Sequence, residues 1–399
     1  MKITKIDVMR VHDVSEDNSG SPGSIWSPIL CRIHTDEGIY GDGEAALAYG
    51  NAHRAAFGMI QDFAELIIGM DPLDHEVIWD KLYKTTFWGQ NGGPVIFAGI
   101  SAIDIALWDL KGKYFGVPVY KLLGGKRRDN LRCYASQLQF GWSDHPEQLA
   151  TPEEYAEVCK KAVADGYDAV KIDFFTYDKD RRPFNKMEEM QRLLHPYYIG
   201  MLEERIAACR EAVGPMVDII MENHSRPDAQ SAVQIGRMAQ KYNMFYYEEP
   251  ITPTPKMSEY VAGQLAMPIA QGERVYTRWQ YAPYFENGSV QVIQPDMGNT
   301  GGITETKKIC DMAYVYDVSV QVHVCGGPLF TAAAAHMECV IPNFVIHEHH
   351  RNCLYDYNRK LGLYDYQPVD GKLKVPELPG LGNEHSEYAL THCHKVTVE

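Results

Sequence analysis

The chain of 399 residues has no CxxC pair, no uninterrupted apolar run of about 18 residues and no low-complexity stretch. Its nine cysteines, at positions 31, 133, 159, 209, 310, 325, 339, 353 and 393, are odd in number and scattered. That argues against a disulfide framework and fits reduced thiols in a cytoplasm. The missing apolar run argues against a membrane-spanning helix. The opening MKITKIDVMRVHD has neither an apolar h-region nor a cleavage-like site, so no signal peptide is expected. Positive charge is also short: 38 Lys and Arg against 53 Asp and Glu, a net charge of -15. Such a surface disfavours nucleic acid and anionic membrane as partners. A small anionic substrate stays admissible, because a local cation overrides the global field.

What is present is an ordinary globular composition, 45% hydrophobic and 23% charged. The length suits a barrel of ~250 residues plus a second domain. Residues 1–128 read as α+β. Strand-like ITKIDVMRV, PILCRIHTDEG and IYGDGEA are joined at TDEG by a hairpin turn. Helical patterns follow near Ala52 to Ile68 and in ISAIDIALWDLKGKYFG, the second closed by Gly116 and Pro118. From 129 to 354 short β-branched runs alternate with amphipathic stretches: YDAVKID, VDIIMEN, MFYYEEP, PIAQGE, VQVIQPD, VSVQVHV and FVIHEHH. Repeated βα units imply a parallel sheet, and this many imply a closed (β/α) barrel. Phe174 to Ile199 reads as a surface insertion after the second barrel strand. Residues 355–399, rich in Tyr, Pro and Gly, are expected to pack back on the first domain.

Polar residues end the barrel strands one after another: Glu222, Glu248, Glu273, Asp296, His323 and Glu348, spaced 23 to 27 residues apart. That spacing is one βα unit, so each takes the same place at the C-terminal end of its strand, the face where barrel active sites lie. One acid after a strand is ordinarily a helix cap or a solvated loop residue; six in register are poorly explained that way. Three carboxylates on adjacent strands repel unless a cation lies between them. All-oxygen ligands without cysteine point to a hard divalent ion, Mg²⁺ foremost. Asp296 beside His323 suits an oriented general base. His224, two residues past Glu222, projects to the same side as that acid from a different strand, as an acid partner would. Lys171, ending the second strand, faces the cavity either to neutralise a substrate carboxylate or to pair with a metal-binding acid. The three histidines around Glu348 scarcely suit zinc, since successive strand side chains point in opposite directions.

The motifs SAIDIALWDLKGKYFGVPVYKLLGG, YYEEP, GERVYTR and QPDMGNTGGITE, with the His323 and Glu348 strand ends, make the chain resemble the enolase superfamily, mandelate-racemase-like branch, over essentially its full length. Within that branch it is most similar to sugar-acid dehydratases of the galactonate dehydratase type. The resemblance implies an α/β fold, a (β/α)7β-type TIM barrel under an N-terminal α+β capping domain. It implies Glu222, Glu248 (not Glu249) and Glu273 as metal ligands. It further implies Asp296–His323 as the dyad that takes the α-proton, Glu348 as hydrogen-bond donor to the substrate carboxylate, and His224 as general acid for the leaving hydroxyl. The loop at 14–28 would be the specificity loop of the cap. Trp26 in that loop, Lys171, Asp173 and Arg274 are the expected substrate contacts. Two positions depart from the branch. Glu222 stands where Asp is usual, and Lys171-x-Asp173 replaces the Lys-x-Lys that racemases use, which favours dehydration.

The expected activity is therefore Mg²⁺-dependent dehydration of an aldonic acid to a 2-keto-3-deoxy acid through an enediolate, by a cytoplasmic homo-oligomer. A racemase or epimerase on the same scaffold is the alternative within the enzyme class. A metal-binding regulatory homologue without activity is the alternative outside it.

Overall fold

The structure, a computed structural model, describes residues 1–12, 26–184 and 190–399. Most of the expected specificity loop, up to residue 25, lies outside the described residues. The chain opens with an antiparallel sheet of β1 (Ile3–Val11), β2 (Ile29–Thr35) and β3 (Tyr40–Ala45). The hairpin turn between β2 and β3 closes with Gly38 at φ 78°, in the left-handed region that glycine favours. Helices α1 (His53–Ile67), α2 (His75–Lys84) and α3 (Pro94–Phe115) follow, then the single turn α4 (Val119–Leu122). Proline sits in the first turn of α3, and left-handed Gly116 ends it as the sequence suggests.

Helix α3 is buried on nearly all faces because β3 lies against one side of it. The approach is closer than any side chain allows. A Cβ at Gly41 would stand 2.0 Å from the Ala106 carbonyl oxygen, and one at Gly43 2.0 Å from that of Ala102. These two glycines seat the strand on the helix and so fix where Glu44, the next residue, points.

The barrel consists of β4 (Asn130–Ser136), α5 (Pro152–Ala164), β5 (Ala169–Ile172), α6 (Pro196–Val213), β6 (Asp218–Glu222), α7 (Ala229–Ala239), β7 (Tyr246–Glu248), α8 (Pro255–Gln264), β8 (Ile269–Gln271), α9 (Thr277–Glu286), β9 (Val292–Ile293), α10 (Gly302–Val315), β10 (Ser319–Val320), α11 (Pro328–Val340) and β11 (His347–His350). The strands pair in parallel from β4 through β10, and β11 pairs with β4. A bridge between Val320 and Phe344 closes the ring, with the Val345 amide donating to Val320. Eight parallel strands with a helix in each of seven crossovers make the (β/α)7β barrel that the resemblance implies. The sequence reading passed over α2 and α5. The second of these carries a capping box, Thr151 with Glu154, and Pro152 in its first turn.

Within the expected surface insertion, residues 179–183, 192, 193 and 195–197 are exposed, while its two described ends also send side chains into the core. Phe174, Phe175, Tyr177, Phe184 and Met190 are buried. Arg205 of α6, fully buried, donates to the carbonyls of Phe174, Tyr177 and Ala150 and so ties the connection down.

After the barrel come α12 (Asp356–Arg359), β12 (Lys372–Lys374), α13 (Glu387–Thr391) and β13 (Cys393–Val398). Strand β12 pairs with β4, and β13 adds to the first sheet beside β1, antiparallel. Among the described residues no helix is long and apolar enough to cross a membrane.

Candidate active site

Glu222 closes β6 and Glu248 closes β7, in register across the pair, and Glu273 lies two residues past β8. One carboxylate oxygen from each falls within 4.8 Å of the others. Glu222 Oε1 and Glu248 Oε2 are buried without a hydrogen-bond partner. His224 Nε2 comes to 3.1 Å from that Glu222 oxygen but outside hydrogen-bonding geometry. Buried carboxylate oxygens left bare are costly, and a cation held by this all-oxygen set satisfies them. The residues present therefore fit a divalent metal. The adjacent acid, Glu249, faces away. It accepts from the Gly272 amide at 3.0 Å and from the Ser225 hydroxyl, and pairs with Arg274 Nη1 at 3.3 Å. Neighbouring strand positions face opposite sides, so only one of the two acids can enter the trio.

Lys171, at 0% exposure in β5, places Nζ 2.5 Å from Glu248, 2.9 Å from Glu348 and 3.4 Å from Glu222. Burial works against its charge, yet those three carboxylates hold it well above the usual lysine range. One ammonium among three acids leaves excess negative charge. Burial, with Glu222 and Glu348 nearby, accordingly pushes the Glu248 carboxyl up to about 8 against the pull of Lys171. For Glu348 burial also raises, but Lys171 and His323 outweigh it and hold the group well below the carboxylate range. Ser136 donates to its Oε1 at 2.6 Å and the Val324 amide to its Oε2 at 2.9 Å. In this arrangement Glu348 accepts with both oxygens, whereas the donor role implied by resemblance needs a proton on it.

Two histidine–aspartate pairs flank the carboxylates. His323 Nδ1 lies 2.7 Å from Asp296 Oδ2, and its Nε2 3.0 Å from Glu273. Burial opposes the charged ring, but Asp296 and Glu348 push it up to about 10. His224 Nδ1 lies 2.7 Å from Asp173 Oδ2. The turn that aims His224 is strained: His224 and Ser225 take φ 48° and 60°, left-handed values that side chains other than glycine rarely adopt. Ser225 is held there by donation from its amide to the Glu249 carbonyl.

The four expected substrate contacts are otherwise engaged. Trp26, 3% exposed, packs in the core of the first domain and offers little surface to a ligand. Asp173, 0% exposed, is taken by His224, by the Phe175 amide and, at 3.7 Å, by Arg226. Lys171 is enclosed by its three acids. Arg274 pairs with Glu273 and Glu249. Ser136, Gln137 and Glu44 were not singled out by the sequence, and His350 was weighed only as a zinc ligand. Gln137 donates to Glu222 at 2.8 Å and is itself held by Gln139. Both Ser136 and Gln137 mark the end of the first barrel strand, in CYASQ, two βα units before Glu222, where the connections are longer than the regular period. Glu44, from the first domain, accepts from the Gly327 amide at 2.6 Å, and burial pushes its carboxyl up to about 7.

Residues 24–124 match the family described as mandelate racemase / muconate lactonizing enzyme, N-terminal domain, and residues 154–389 match that described as enolase C-terminal domain-like. A D-galactonate dehydratase of Pectobacterium atrosepticum is 33% identical over 97% of this chain and 93% of its own length. Another, of Variovorax paradoxus, is 31% identical over 99% and 95%. Among solved structures, an enolase superfamily member from Salmonella Typhimurium is 49% identical with a TM-score of 0.95, both chains covered fully. The 3,6-anhydro-D-galactonate cycloisomerase of Zobellia galactanivorans is 26% identical with a TM-score of 0.80, covering 99% of this chain and 100% of its own.

Proposed function

The chain belongs to the mandelate racemase / muconate lactonizing enzyme family of the enolase superfamily, and from that premise we propose that it is a hydro-lyase that dehydrates an aldonic acid of about five or six carbons, with Mg²⁺ held by Glu222, Glu248 and Glu273. The observation that carries the reading is the pair of His–Asp dyads. They belong to β5/β6 and β9/β10, four strands apart in a ring of eight, hence opposite one another across the cavity. An elimination needs such a base and acid at neighbouring carbons.

His323 takes the C2 proton at Nε2, while Asp296 fixes its ring and balances the charge gained. The divalent ion supplies positive charge against the enediolate that develops. His224, oriented by Asp173, gives a proton to the C3 hydroxyl, which departs as water. The enol left behind becomes the 2-keto-3-deoxy acid by tautomerisation. Glu348 and Lys171 stand at the carboxylate end of the substrate. A racemase would use a second base opposite His323; Lys171, enclosed by three carboxylates, is poorly placed for it, and His224 is the group that would serve, so the product separates the two readings. The test is a screen of five- and six-carbon aldonic acids with Mg²⁺, read by semicarbazide. A keto acid is the expected product. A changed stereocentre without keto acid would favour the racemase, and no turnover of any acid would sink the proposal.

A further inference from the structure

Strand β11 presents Glu348 to the cavity and turns its neighbours outward. His347 Nδ1 meets Glu338 of α11 at 2.6 Å, and His349 meets the Tyr167 hydroxyl at 2.6 Å. The period of two then returns His350 to the cavity side, ~6–7 Å further along the strand than Glu348 and away from the barrel floor. Its electrostatic neighbours agree: Glu348, Lys171 and His323 all act on the ring. Burial keeps that ring neutral, lowering it to about 3. Its Nδ1 accepts from the Asn352 amide at 3.1 Å, capping the short turn 351–354. A neutral imidazole whose Nδ1 accepts must carry its proton on Nε2. Among the described residues, that Nε2–H has only the Cys325 sulfur before it, at 3.9 Å, and a neutral thiol is a weak acceptor. The residue is half-buried.

We propose that His350 is a specificity-determining residue, whose fixed Nε2–H donates to a hydroxyl oxygen on the distal half of the substrate chain. The inference rests on the sugar-acid reading above and deepens it. Glu348 and Lys171 take the carboxylate end, and the next cavity-facing position on the same strand takes an oxygen several carbons away. This gives the barrel itself, apart from the cap, a measure of substrate length.

The competing explanation is that His350 only caps the turn. Two substitutions separate the roles. In His350→Asn the side-chain oxygen stands in for Nδ1 and keeps the cap, but nothing replaces the far donor. In His350→Gln the amide nitrogen reaches the place of Nε2, while the cap is lost. Wild type and both variants are assayed with Mg²⁺ on D-galactonate, D-gluconate and their epimers, with melting temperatures recorded. For the best six-carbon acid, His350→Asn should raise KM about 3–10-fold, the worth of one hydrogen bond, while kcat and His350→Gln stay within about twofold of wild type. Normal KM in the Asn variant, or a raised KM in the Gln variant, would overturn the proposal. If wild type itself turns over none of these acids, the sugar-acid reading fails first and this inference falls with it.

Discussion

The histidines of the two dyads, His224 and His323, have the same inner contact, Nδ1 at 2.7 Å from an aspartate, and different supports. The His224 dyad is built within the barrel. Asp173 and His224 stand on adjacent strands, and a strained turn sets the ring. The His323 dyad is built between domains. Asp296 accepts from the Gly298 amide at 2.7 Å, and the Gly298 carbonyl in turn accepts from Ala46 of the first domain. The loop after His323 is held by Glu44 through the Gly327 amide. In the proposed mechanism the proton-abstracting base must meet a weakly acidic C–H in one geometry, and contacts from two domains hold its dyad. The proposed leaving-group acid would meet a flexible hydroxyl and is held by barrel contacts.

The largest expected effect strikes both dyads equally. Chelation with EDTA should abolish activity and Mg²⁺ restore it. Glu248→Gln should weaken Mg²⁺ binding in calorimetry, since an amide brings no charge to the ion. Unchanged affinity would remove the carboxylate trio from the account. Next, the dyads should part. His323→Asn should end both dehydration and C2 proton exchange. His224→Asn should slow dehydration ~10²–10⁴-fold, the usual worth of a general acid, while substrate recovered from D₂O gains deuterium at C2. Exchange by the His323 variant and none by the His224 variant would reverse the two roles.

A smaller effect is expected one residue further back. Asp173→Asn leaves His224 in place without its anionic partner, so kcat should fall about 10–100-fold with KM little changed, in line with losses at residues that orient a functional histidine. A rise in KM alone, with kcat intact, would return Asp173 to the substrate contacts. The smallest effect concerns Glu44. Its folded pKa of about 7 lies above the ordinary 4.5. Its stabilising contribution is therefore complete below the unfolded value and is lost as pH rises toward 7. Glu44→Gln should flatten the pH dependence of urea unfolding across that window by up to about one proton. An unaltered slope would show that Glu44 is not the group being titrated.

The barrel was legible because one chemical feature repeats with the βα unit, so six strand ends could be aligned without knowing any distance. The same regularity separated Glu248 from Glu249 only by resemblance; the alternation of the strand gives the physical reason. Asp173 was noticed and misread: its sequence position says which strand it ends, but only folding shows His224 bent back onto it by two left-handed residues. Lys171 had two readings from sequence; the structure adds that it is buried in contact with Glu222, Glu248 and Glu348 at the end of the cavity assigned to the substrate carboxylate. Trp26 looked like a loop contact, yet its ring was claimed by the core of the first domain. Glu44 was out of reach for pattern reasoning, since its partner Gly327 lies 283 residues away.

The close seat of β3 on α3 limits how this protein can be recombined with its relatives. Ala46 and Glu44 lie in the first domain by sequence, but they serve the Asp296 and His323 loops. A chimera joined in the linker after residue 124 would bring a foreign strand to Gly298 and Gly327 and so disturb the base it was meant to inherit. One joined before Tyr40 would leave both tethers native. The boundary that matters for exchange therefore falls inside the first domain, well short of the point where the two families of sequence meet.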